Sequence, residues 1–365
     1  MKRYSGLVVL AVMGGMMLSG IVSRADDLVI QGFTSSGQLT FGGVSNEAQH
    51  ATSYRIEWAS SPGGGWTNFA AAAASLDVIP APLNGTGTIS VLVPMCYRLV
   101  ATMVVLPLGT IPIPAGTNSG VDPDSGAYTL NNAMPFYMDK YLVTKAKWDA
   151  VYNWAITNGY SFDNVGSGKA EDHPVQMVNW FDCVKWCNAR SEKEGRPVSY
   201  RVGGNVYRSG QDNAVTCDLN LGGYRLPTDA EFHYAARGGL SGKRFPWGDT
   251  IDHDQANYTG YPSGYGYDLG YLGYDARYAV GDSPYTSPVG AFEAGKTGYG
   301  LYDMTGNVSE WCWNWYPGYE GYARVFRGGS YMSYANESGV GFRDSTGPDY
   351  AGKSIGFRVV LSPVQ

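Results

Sequence analysis

The stretch of sequence that decides the fold is GYRLPTDAEFHYAARGG, residues 223–239. Thr228 is followed three residues later by Glu231, a capping-box spacing in which each side chain bonds the backbone amide of the other residue. Gly238 and Gly239 close the stretch, and glycine is the residue that most readily ends a helix in the left-handed conformation. We therefore predict a helix that begins after Thr228 and ends at these glycines.

Two more helices are predicted before this one. Thr144 can cap the first, and Asn179 stands where the second begins. Apolar residues then recur at the i, i+3, i+4 and i+7 spacing of one helix face. These residues are Trp148, Val151, Tyr152 and Ala155 in the first helix and Trp180, Cys183, Val184 and Cys187 in the second.

Two later phrases, RGGSYMSYANES at residues 327–338 and Gly-Phe-Arg at residues 356–358, follow in the order found in a known family. Together with residues 223–239 they resemble the formylglycine-generating enzymes, also called sulfatase-modifying factors. The resemblance implies an α+β fold over residues 109–365: an irregular, loop-rich sulfatase-modifying-factor domain of the C-type-lectin-like kind.

The resemblance also bears on catalysis. In the family, a serine and two cysteines form the active site, and the cysteines bind copper(I) to oxidise a substrate cysteine to formylglycine. The matching positions here are Ser330, Ser333 and Ser338. Copper(I) is a soft ion that prefers thiolate ligands, and a serine hydroxyl ionises far too weakly to replace a thiol. Copper is therefore not expected, and we predict that the oxidase activity has been lost.

Calcium is the cofactor that the resemblance implies. One family site matches the side chains of Asp303 and Glu310 and the carbonyls of Gly306 and Val308. Such carboxylate and carbonyl oxygens are the hard ligands that calcium prefers. A second, more loosely matched site would use the side chains of Asn257 and Asp282 and the carbonyl of Tyr258. The alternative for the first site is that its two carboxylates cap turns without a metal.

The competing functional class is ligand binding. The implied fold resembles C-type-lectin-like scaffolds that display variable residues between Gly-Gly-Ser and Gly-Phe-Arg. The residues that we expect to contact a ligand are Tyr331, Ser333, Tyr334, Asn336, Ser338 and Arg343. Tyrosine, serine and asparagine are typical of adaptable recognition surfaces. The expected ligand is a protein or a glycan; the alternatives are an oxidase that modifies sulfatases and a structural component of the cell envelope.

The first 108 residues differ in character from the rest. A positively charged start, an apolar stretch and a small-residue cleavage pattern predict a signal peptide over residues 1–25, and therefore export of the protein. Residues 26–108 hold short segments of alternating polarity, such as Thr52 to Trp58, between turn signals. They predict a small all-β sandwich of the immunoglobulin or fibronectin type, which we interpret as a spacer.

Charge and cysteines limit the remaining classes. The formal net charge is −6, and removal of residues 1–25 takes away three cations and no acid, which leaves −9. This charge argues against nucleic acid as a partner. No later segment is apolar over the length of a bilayer span, so no integral membrane segment is expected after signal removal. The five cysteines favour buried thiols or one structural disulfide over a zinc site.

The segment from residue 245 to residue 289 is rich in tyrosine and glycine and shows no sustained period. The resemblance implies that this region is a long, ordered loop. A long loop without its own secondary structure usually needs a clamp or serves a function.

Overall fold

In the computed structural model, the protein divides into two compact units, Met1–Gly109 and Thr110–Gln365. The structure describes residues 109–362 in full and, before them, the backbone of seven β-strands. The predicted signal peptide, residues 1–25, lies outside the described residues.

The described strands of the first unit form two antiparallel sheets. The strands are β1 Val29–Phe33, β2 Gln38–Gly42, β3 Gln49–Ala59, β4 Thr67–Asn68, β5 Ala74–Pro80, β6 Leu83–Ile89 and β7 Cys96–Val105. One sheet has the order β1-β2-β6-β5 and the other the order β4-β3-β7. Strand β3 covers the segment Thr52 to Trp58, whose alternation predicts a strand. The sandwich type stays a prediction, because the side chains of this unit lie outside the described residues.

The second unit combines three helices with many short strands, as expected for an α+β class. The helices are α1 Lys145–Ile156, α2 Trp180–Lys193 and α3 Asp229–Arg237, and short 3-10 turns occur at Glu293–Gly295 and Ala335–Glu337. The strands are β8 Thr110–Ile113, β9 Gly116–Asp122, β10 Gly126–Asn132, β11 Phe136–Asp139, β12 Tyr200–Val202, β13 Asn205–Val206, β14 Thr216–Cys217, β15 Thr259–Gly260, β16 Gly273–Tyr274, β17 Ser309–Trp315, β18 Arg324–Arg327, β19 Arg343–Thr346, β20 Ile355–Gly356 and β21 Val360–Leu361.

These strands form five small sheets. Their orders are β10-β9, β21-β11-β8, β13-β12-β14, β15-β16 and β19-β18-β17-β20. Strand β8 ends at Ile113 and strand β9 begins at Gly116, so the chain passes from one small sheet to another at Pro114 and Ala115. The last sheet positions the candidate site, which begins directly after β18.

All three helices begin at the residues that the sequence predicts. Thr144 accepts a hydrogen bond from the amide of Lys147, and Asn179 and Thr228 each form a capping box. Helix α3 ends at Gly238, which has a φ of 56° in the left-handed region. The short-range signals of these helices are therefore confirmed.

Helix α2 is the centre of an aromatic core. Its residues from Trp180 to Ser191 are all buried, on every face rather than along the single stripe that the spacing predicts. Trp148 of α1 stacks on Trp186 of α2 with ring centroids 6.0 Å apart, and Phe357 meets both rings edge-on. A helix buried on all faces is enclosed by the domain rather than lying at its surface.

Indole hydrogen bonds attach this core to strand β17. Trp180 donates its Nε1 hydrogen to the carbonyl of Cys312 at 2.9 Å, and Trp311 donates to the carbonyl of Val178 at 3.2 Å. Because β17 pairs with β18, the buried helix fixes the sheet from which the candidate site extends.

The described cysteines are free thiols. Cys183, Cys187 and Cys312 are buried and Cys217 is half-buried, which favours the buried-thiol alternative for these four residues. Within residues 109–362 no helix is long and apolar enough to cross a membrane.

Candidate functional site

The chain enters the candidate site through a tight glycine turn after strand β18. Gly328 and Gly329 have φ values of 89° and 67°, which favour glycine. A Cβ on Gly329 would also lie 2.7 Å from the carbonyl oxygen of Glu337 and 2.8 Å from the hydroxyl of Ser338. The turn therefore depends on glycine for both its dihedrals and its close packing, and it folds residues 330–338 back on themselves.

The three serines of the expected active site lie in this compact turn. The Oγ atoms of Ser330 and Ser333 are 3.4 Å apart, and the Ser330 hydroxyl accepts a hydrogen bond from the Met332 amide at 3.1 Å. Ser338 is fully buried, and its hydroxyl donates to the carbonyl of Tyr334 at 3.0 Å. These hydroxyls therefore take part in the local fold of the segment.

Strand β15 of the tyrosine- and glycine-rich region holds the serine turn in place. The amide of Thr259 donates to the carbonyl of Ser333 at 2.9 Å, and its hydroxyl donates to the carbonyl of Tyr331 at 2.9 Å. The amide of Tyr331 in turn donates to the carbonyl of Asn307 at 2.9 Å. The long irregular region is thus bonded directly to the candidate site.

The structure divides the expected ligand-binding residues into two groups. Tyr331 is only 1% exposed and Ser338 is fully buried, so their side chains support the turn and do not reach the surface where we expected them. Packing against neighbouring segments, which spacing in the sequence does not reveal, causes this difference. The residues with exposed or half-buried side chains are Ser333, Tyr334, Asn336 and Arg343.

Tyr334 joins two tyrosines of the irregular region at the surface. Its ring centroid lies 5.6 Å from that of Tyr261 and 6.5 Å from that of Tyr265. Tyr334 and Tyr261 are 43% and 41% exposed, and within residues 109–362 the hydroxyls of Tyr261 and Tyr265 make no hydrogen bond. We call these three residues the tyrosine platform. Such rings offer an apolar face with a polar rim, a combination typical of contact surfaces.

Arg343 belongs to a different part of the surface. Its Nη1 donates to the carboxylate of Asp229 at 2.8 Å, and Arg327 bonds the same carboxylate. Burial raises the pKa of Asp229, but the two arginines outweigh this effect and hold the pKa below its ordinary value. The charge of Arg343 is therefore paired with the first residue of helix α3.

The described histidines are not bonded to the serines. Within residues 109–362 no hydrogen bond joins a histidine to Ser330, Ser333 or Ser338. Nε2 of His233 accepts a hydrogen bond from Arg237, and burial together with nearby arginines lowers the pKa of His233 to about 2. A serine–histidine pair for nucleophilic catalysis is thus missing from the described part of the chain.

The first expected calcium site contains two buried carboxylates. Both oxygens of Glu310 accept hydrogen bonds from Arg358 at 2.7 Å, and Asp303 accepts one from the amide of Gly290 at 2.7 Å. Burial raises the pKa of Asp303, and it raises the pKa of Glu310 to about 6 in spite of Arg358. Arg358 pairs with Glu310, whereas within residues 109–362 Asp303 forms no ion pair, and its negative charge is of the kind that a hard cation offsets.

Side chains alone would not complete such a site. Within residues 109–362 there is no group of three or more histidine, cysteine, aspartate or glutamate side chains that could hold a metal. A calcium ion at Asp303 and Glu310 would depend on backbone oxygens, such as the carbonyls of Gly306 and Val308 in the expected set. Positive φ values at Asp303 and Gly306, 54° and 80°, give this segment its tight course.

The residues of the second expected calcium site differ in burial and in their hydrogen-bond partners. The side-chain amide of Asn257 donates to the carbonyl of Tyr285 at 2.9 Å, while Asp282 is exposed. Tyr258 is fully buried, and its hydroxyl bonds Asp268. The structure thus brings Asn257 to Tyr285, and within the described residues no hydrogen bond joins Asn257 to Asp282.

Asn307 also holds this region together, although its position in the sequence does not predict that role. Its amide donates to the carbonyl of Asn257 at 2.8 Å, and its side chain accepts from the amide of Ser287 at 3.1 Å and donates to the carbonyl of Ser287 at 3.2 Å. Its φ of 65° is one that asparagine tolerates better than most residues. The only available signal was the Gly306-Asn307 pair, which is typical of a turn.

Comparison of the sequence with models of known protein families identifies the family of this chain. Residues 90–363 match the model of the Sulfatase-modifying factor enzyme 1-like domain. The chain belongs to this family. The resemblance of residues 223–239, 327–338 and 356–358 to sulfatase-modifying factors is therefore confirmed at the level of the family.

Relatives in this sulfatase-modifying-factor family carry different functional names. The chain is 32% identical over 237 residues to the chaperone protein LppX of Paenibacillus barcinonensis, covering 62% of this chain and 80% of the relative. It is 31% identical over 297 residues to the formylglycine-generating enzyme of Thermomonospora curvata, covering 70% of this chain and 94% of the relative. It is 37% identical over 192 residues to the inactive C-alpha-formylglycine-generating enzyme 2 of Bos taurus, covering 51% and 56%.

Solved structures support the same fold. The crystal structure of CarF aligns with 70% of this chain and 99% of its own, with a TM-score of 0.55 and 26% identity. The variable protein 1 of Treponema denticola aligns with 70% of this chain and 95% of its own, with a TM-score of 0.53 and 26% identity. Proteins with different names therefore share the sulfatase-modifying-factor fold.

Proposed function

We propose that this protein is an exported sulfatase-modifying-factor family member that lacks oxidase activity and binds a protein or glycan ligand. The observation that carries the proposal is the presence of Ser333 and Ser338 where the family resemblance expects copper-binding cysteines. The hydroxyl of Ser338 is committed to the Tyr334 carbonyl, and that of Ser333 lies 3.4 Å from the Ser330 hydroxyl. Neither hydroxyl is a soft ligand for copper(I).

The nearest thiol in sequence does not substitute for them. Cys312, on strand β17, is buried in the hydrophobic core with Phe232 and Val325. Burial raises the pKa of Cys312 well above its ordinary value, so the thiol stays protonated. A protonated core thiol is neither a metal ligand nor a nucleophile.

The tyrosine platform supports the binding role. It places the exposed rings of Tyr261 and Tyr334 beside the serine turn, and it is held there by the bonds from Thr259. A chaperone and an inactive enzyme among the relatives are compatible with a function other than oxidation. The platform and Ser333 would together form the contact surface.

A copper(I) titration tests the loss of the oxidase site. Under anaerobic conditions we expect no tight, stoichiometric uptake by the native protein. The double variant Ser333→Cys with Ser338→Cys should gain copper(I) binding, because it supplies two thiols to the same turn. Uptake by the native protein that depends on residues 330–343 would contradict the proposal.

A direct assay tests the oxidase alternative. The purified protein is incubated in air with copper and a peptide that carries the sulfatase cysteine motif, and the peptide is analysed by mass spectrometry. We expect the cysteine to remain unchanged. Conversion of this cysteine to formylglycine would establish the alternative function.

Glycan and peptide arrays test the binding role. We expect a specific hit that Tyr334→Ala weakens, whereas Tyr319→Ala should bind as well as the native protein, because Tyr319 is exposed but not among the platform residues. No specific hit at micromolar protein would instead favour a structural role in the cell envelope.

Calcium is proposed as a stabilising ion at Asp303 and Glu310. If calcium binds, a concentration tenfold above its dissociation constant should raise the free energy of unfolding by about 1.4 kcal/mol. Thermal unfolding in calcium and in chelator measures this, and Asp303→Asn should reduce the difference. Identical unfolding in calcium and in chelator would remove calcium from the proposal.

A further inference from the structure

Arg324 is enclosed by tryptophan rings at the start of strand β18. Its guanidinium carbon lies 3.7 Å from the ring centroid of Trp180, 3.3 Å from that of Trp315 and 5.0 Å from that of Trp313. The planes of Trp180 and Trp315 differ by only 22°, so the guanidinium lies in a slot between two nearly parallel rings. Trp313 and Trp315 are themselves partly exposed, which places the slot near the surface.

Arg324 differs from the other buried arginines of the described chain. Within residues 109–362, five buried arginines form an ion pair with a carboxylate, and Arg324 forms none. The five pairs are Arg190–Asp139, Arg225–Glu231, Arg237–Asp122, Arg327–Asp229 and Arg358–Glu310.

The guanidinium of Arg324 also has unused donors. Nη1 donates to the carbonyl of Trp313 at 2.6 Å. Nε is buried without a hydrogen-bond partner, and within residues 109–362 no hydrogen bond from Nη2 occurs. Nε and Nη2 form the side of a guanidinium that binds a carboxylate through two parallel hydrogen bonds. That side of Arg324 is therefore free of partners from the described residues.

A buried cation of this kind is costly unless an anion accompanies it. Ring faces offset part of the desolvation of a guanidinium, but they supply no acceptor for its N–H groups. Burial accordingly lowers the pKa of Arg324 to about 9, and no carboxylate opposes this effect. An external anion would supply the missing acceptors.

We propose that Arg324 and the rings of Trp180 and Trp315 form a binding site for a carboxylate group. The carboxylate would accept from Nε and Nη2 in the plane of the guanidinium. A planar carboxylate fits this slot because the two rings already confine the guanidinium to one plane. The group could belong to a free small acid or to an acidic side chain of another molecule.

Nuclear magnetic resonance of the native protein tests the site without a mutation. The Nε–H resonance of Arg324 is followed while sodium acetate replaces sodium chloride at constant ionic strength. We expect a downfield shift that saturates below about 100 mM acetate, as two charge-assisted hydrogen bonds at a preformed site would give. A resonance that does not move, or that responds equally to both salts, would overturn the proposal.

Variants and a second ligand then locate the site and identify its source. Tryptophan fluorescence during the same titration should respond at least about tenfold more weakly in Arg324→Lys, which keeps the charge but loses the two-donor edge. Arg201→Gln, on strand β12, should respond like the native protein. A blocked glutamate peptide that shifts the Nε–H resonance as acetate does assigns the carboxylate to another molecule's side chain; a shift with acetate alone assigns it to a free small acid.

Discussion

The helices and the tyrosine- and glycine-rich irregular region, residues 245–289, satisfy their backbone and side-chain polar groups in opposite ways. Helix α3 begins at Thr228 and Glu231, which are three residues apart and bond each other's amides. In the irregular region, Asn257 bonds Tyr285 and Asn307, and Thr259 bonds Ser333, at sequence separations far beyond one turn. Local bonds make a helix recognisable in sequence, whereas distant bonds make a loop region depend on the folded domain.

Glu310 and Arg358 provide the strongest test, because their buried pair joins strand β17 to the C-terminal segment. Glu310→Gln leaves Arg358 buried without its counter-charge, and we expect a loss of about 3–5 kcal/mol in the free energy of unfolding. Urea unfolding with a chelator present measures this effect apart from calcium. Asp249→Asn breaks an exposed pair with Lys243 and should cost about 0–1 kcal/mol. Equal losses in the two variants would show that the buried pair stabilises the protein no more than the exposed pair does.

Asn307 tests whether hydrogen bonds between distant segments order the irregular region. Asn307→Ala removes both bonds to Ser287 at a residue with positive φ, and we expect a loss of about 2–4 kcal/mol. Hydrogen exchange should increase in peptides that cover residues 251–289 more than in those that cover helix α2. Asn158→Ala removes an exposed bond to Trp154 and serves as the control. Exchange that rises uniformly over the domain would show that the Asn307 bonds do not order the irregular region in particular.

His233 shows how the fold changes a residue on a locally specified helix. Its pKa is lowered from 6.5 to about 2, first by burial and then by nearby arginines. Below pH 6.5 the unfolded chain gains a proton at His233 and the folded protein does not, so stability falls as the pH falls. The expected contribution approaches about 1.4 kcal/mol per pH unit.

The variant His233→Gln isolates this contribution. Urea unfolding at several pH values between 6.5 and 5 should show a smaller loss of stability in the variant than in the native protein. His173, whose pKa is also lowered by burial, remains in both proteins and therefore cancels in the comparison. Identical pH dependence in the two proteins would contradict the neutral, buried state of His233.

Substitution of Thr228 has the smallest expected effect on stability, and it tests the short-range hydrogen bonds that cap a helix. Thr228→Ala removes the cap of helix α3, and we expect a loss of about 1 kcal/mol in the free energy of unfolding. Thermal unfolding measures it, with Thr157→Ala at the exposed end of helix α1 as the control. A loss as large as that of Asn307→Ala would mean that the cap also supports distant contacts.

The same division explains how much of the protein could be predicted. The caps at Thr144, Asn179 and Thr228 place all three helices, because a cap and its amide lie within one turn. The positions of Ser330, Ser333 and Ser338 follow from the family phrase that contains them. The burial of Tyr331 and the hydrogen bonds formed by Asn307 could not be predicted, because both depend on segments that are distant in sequence.

The sequence by itself determined the family, the starts of the three helices, the end of helix α3 and the absence of thiols at positions 333 and 338, because these follow from residue identity and short spacing. Only the tertiary structure decided which tyrosines are exposed, which carboxylate pairs with Arg358, and that Arg324 lacks a carboxylate partner within residues 109–362. The physical reason is that burial and electrostatic pairing depend on the elements that meet in space. An arginine that is buried and one that is exposed to solvent cannot be told apart from the residue type alone.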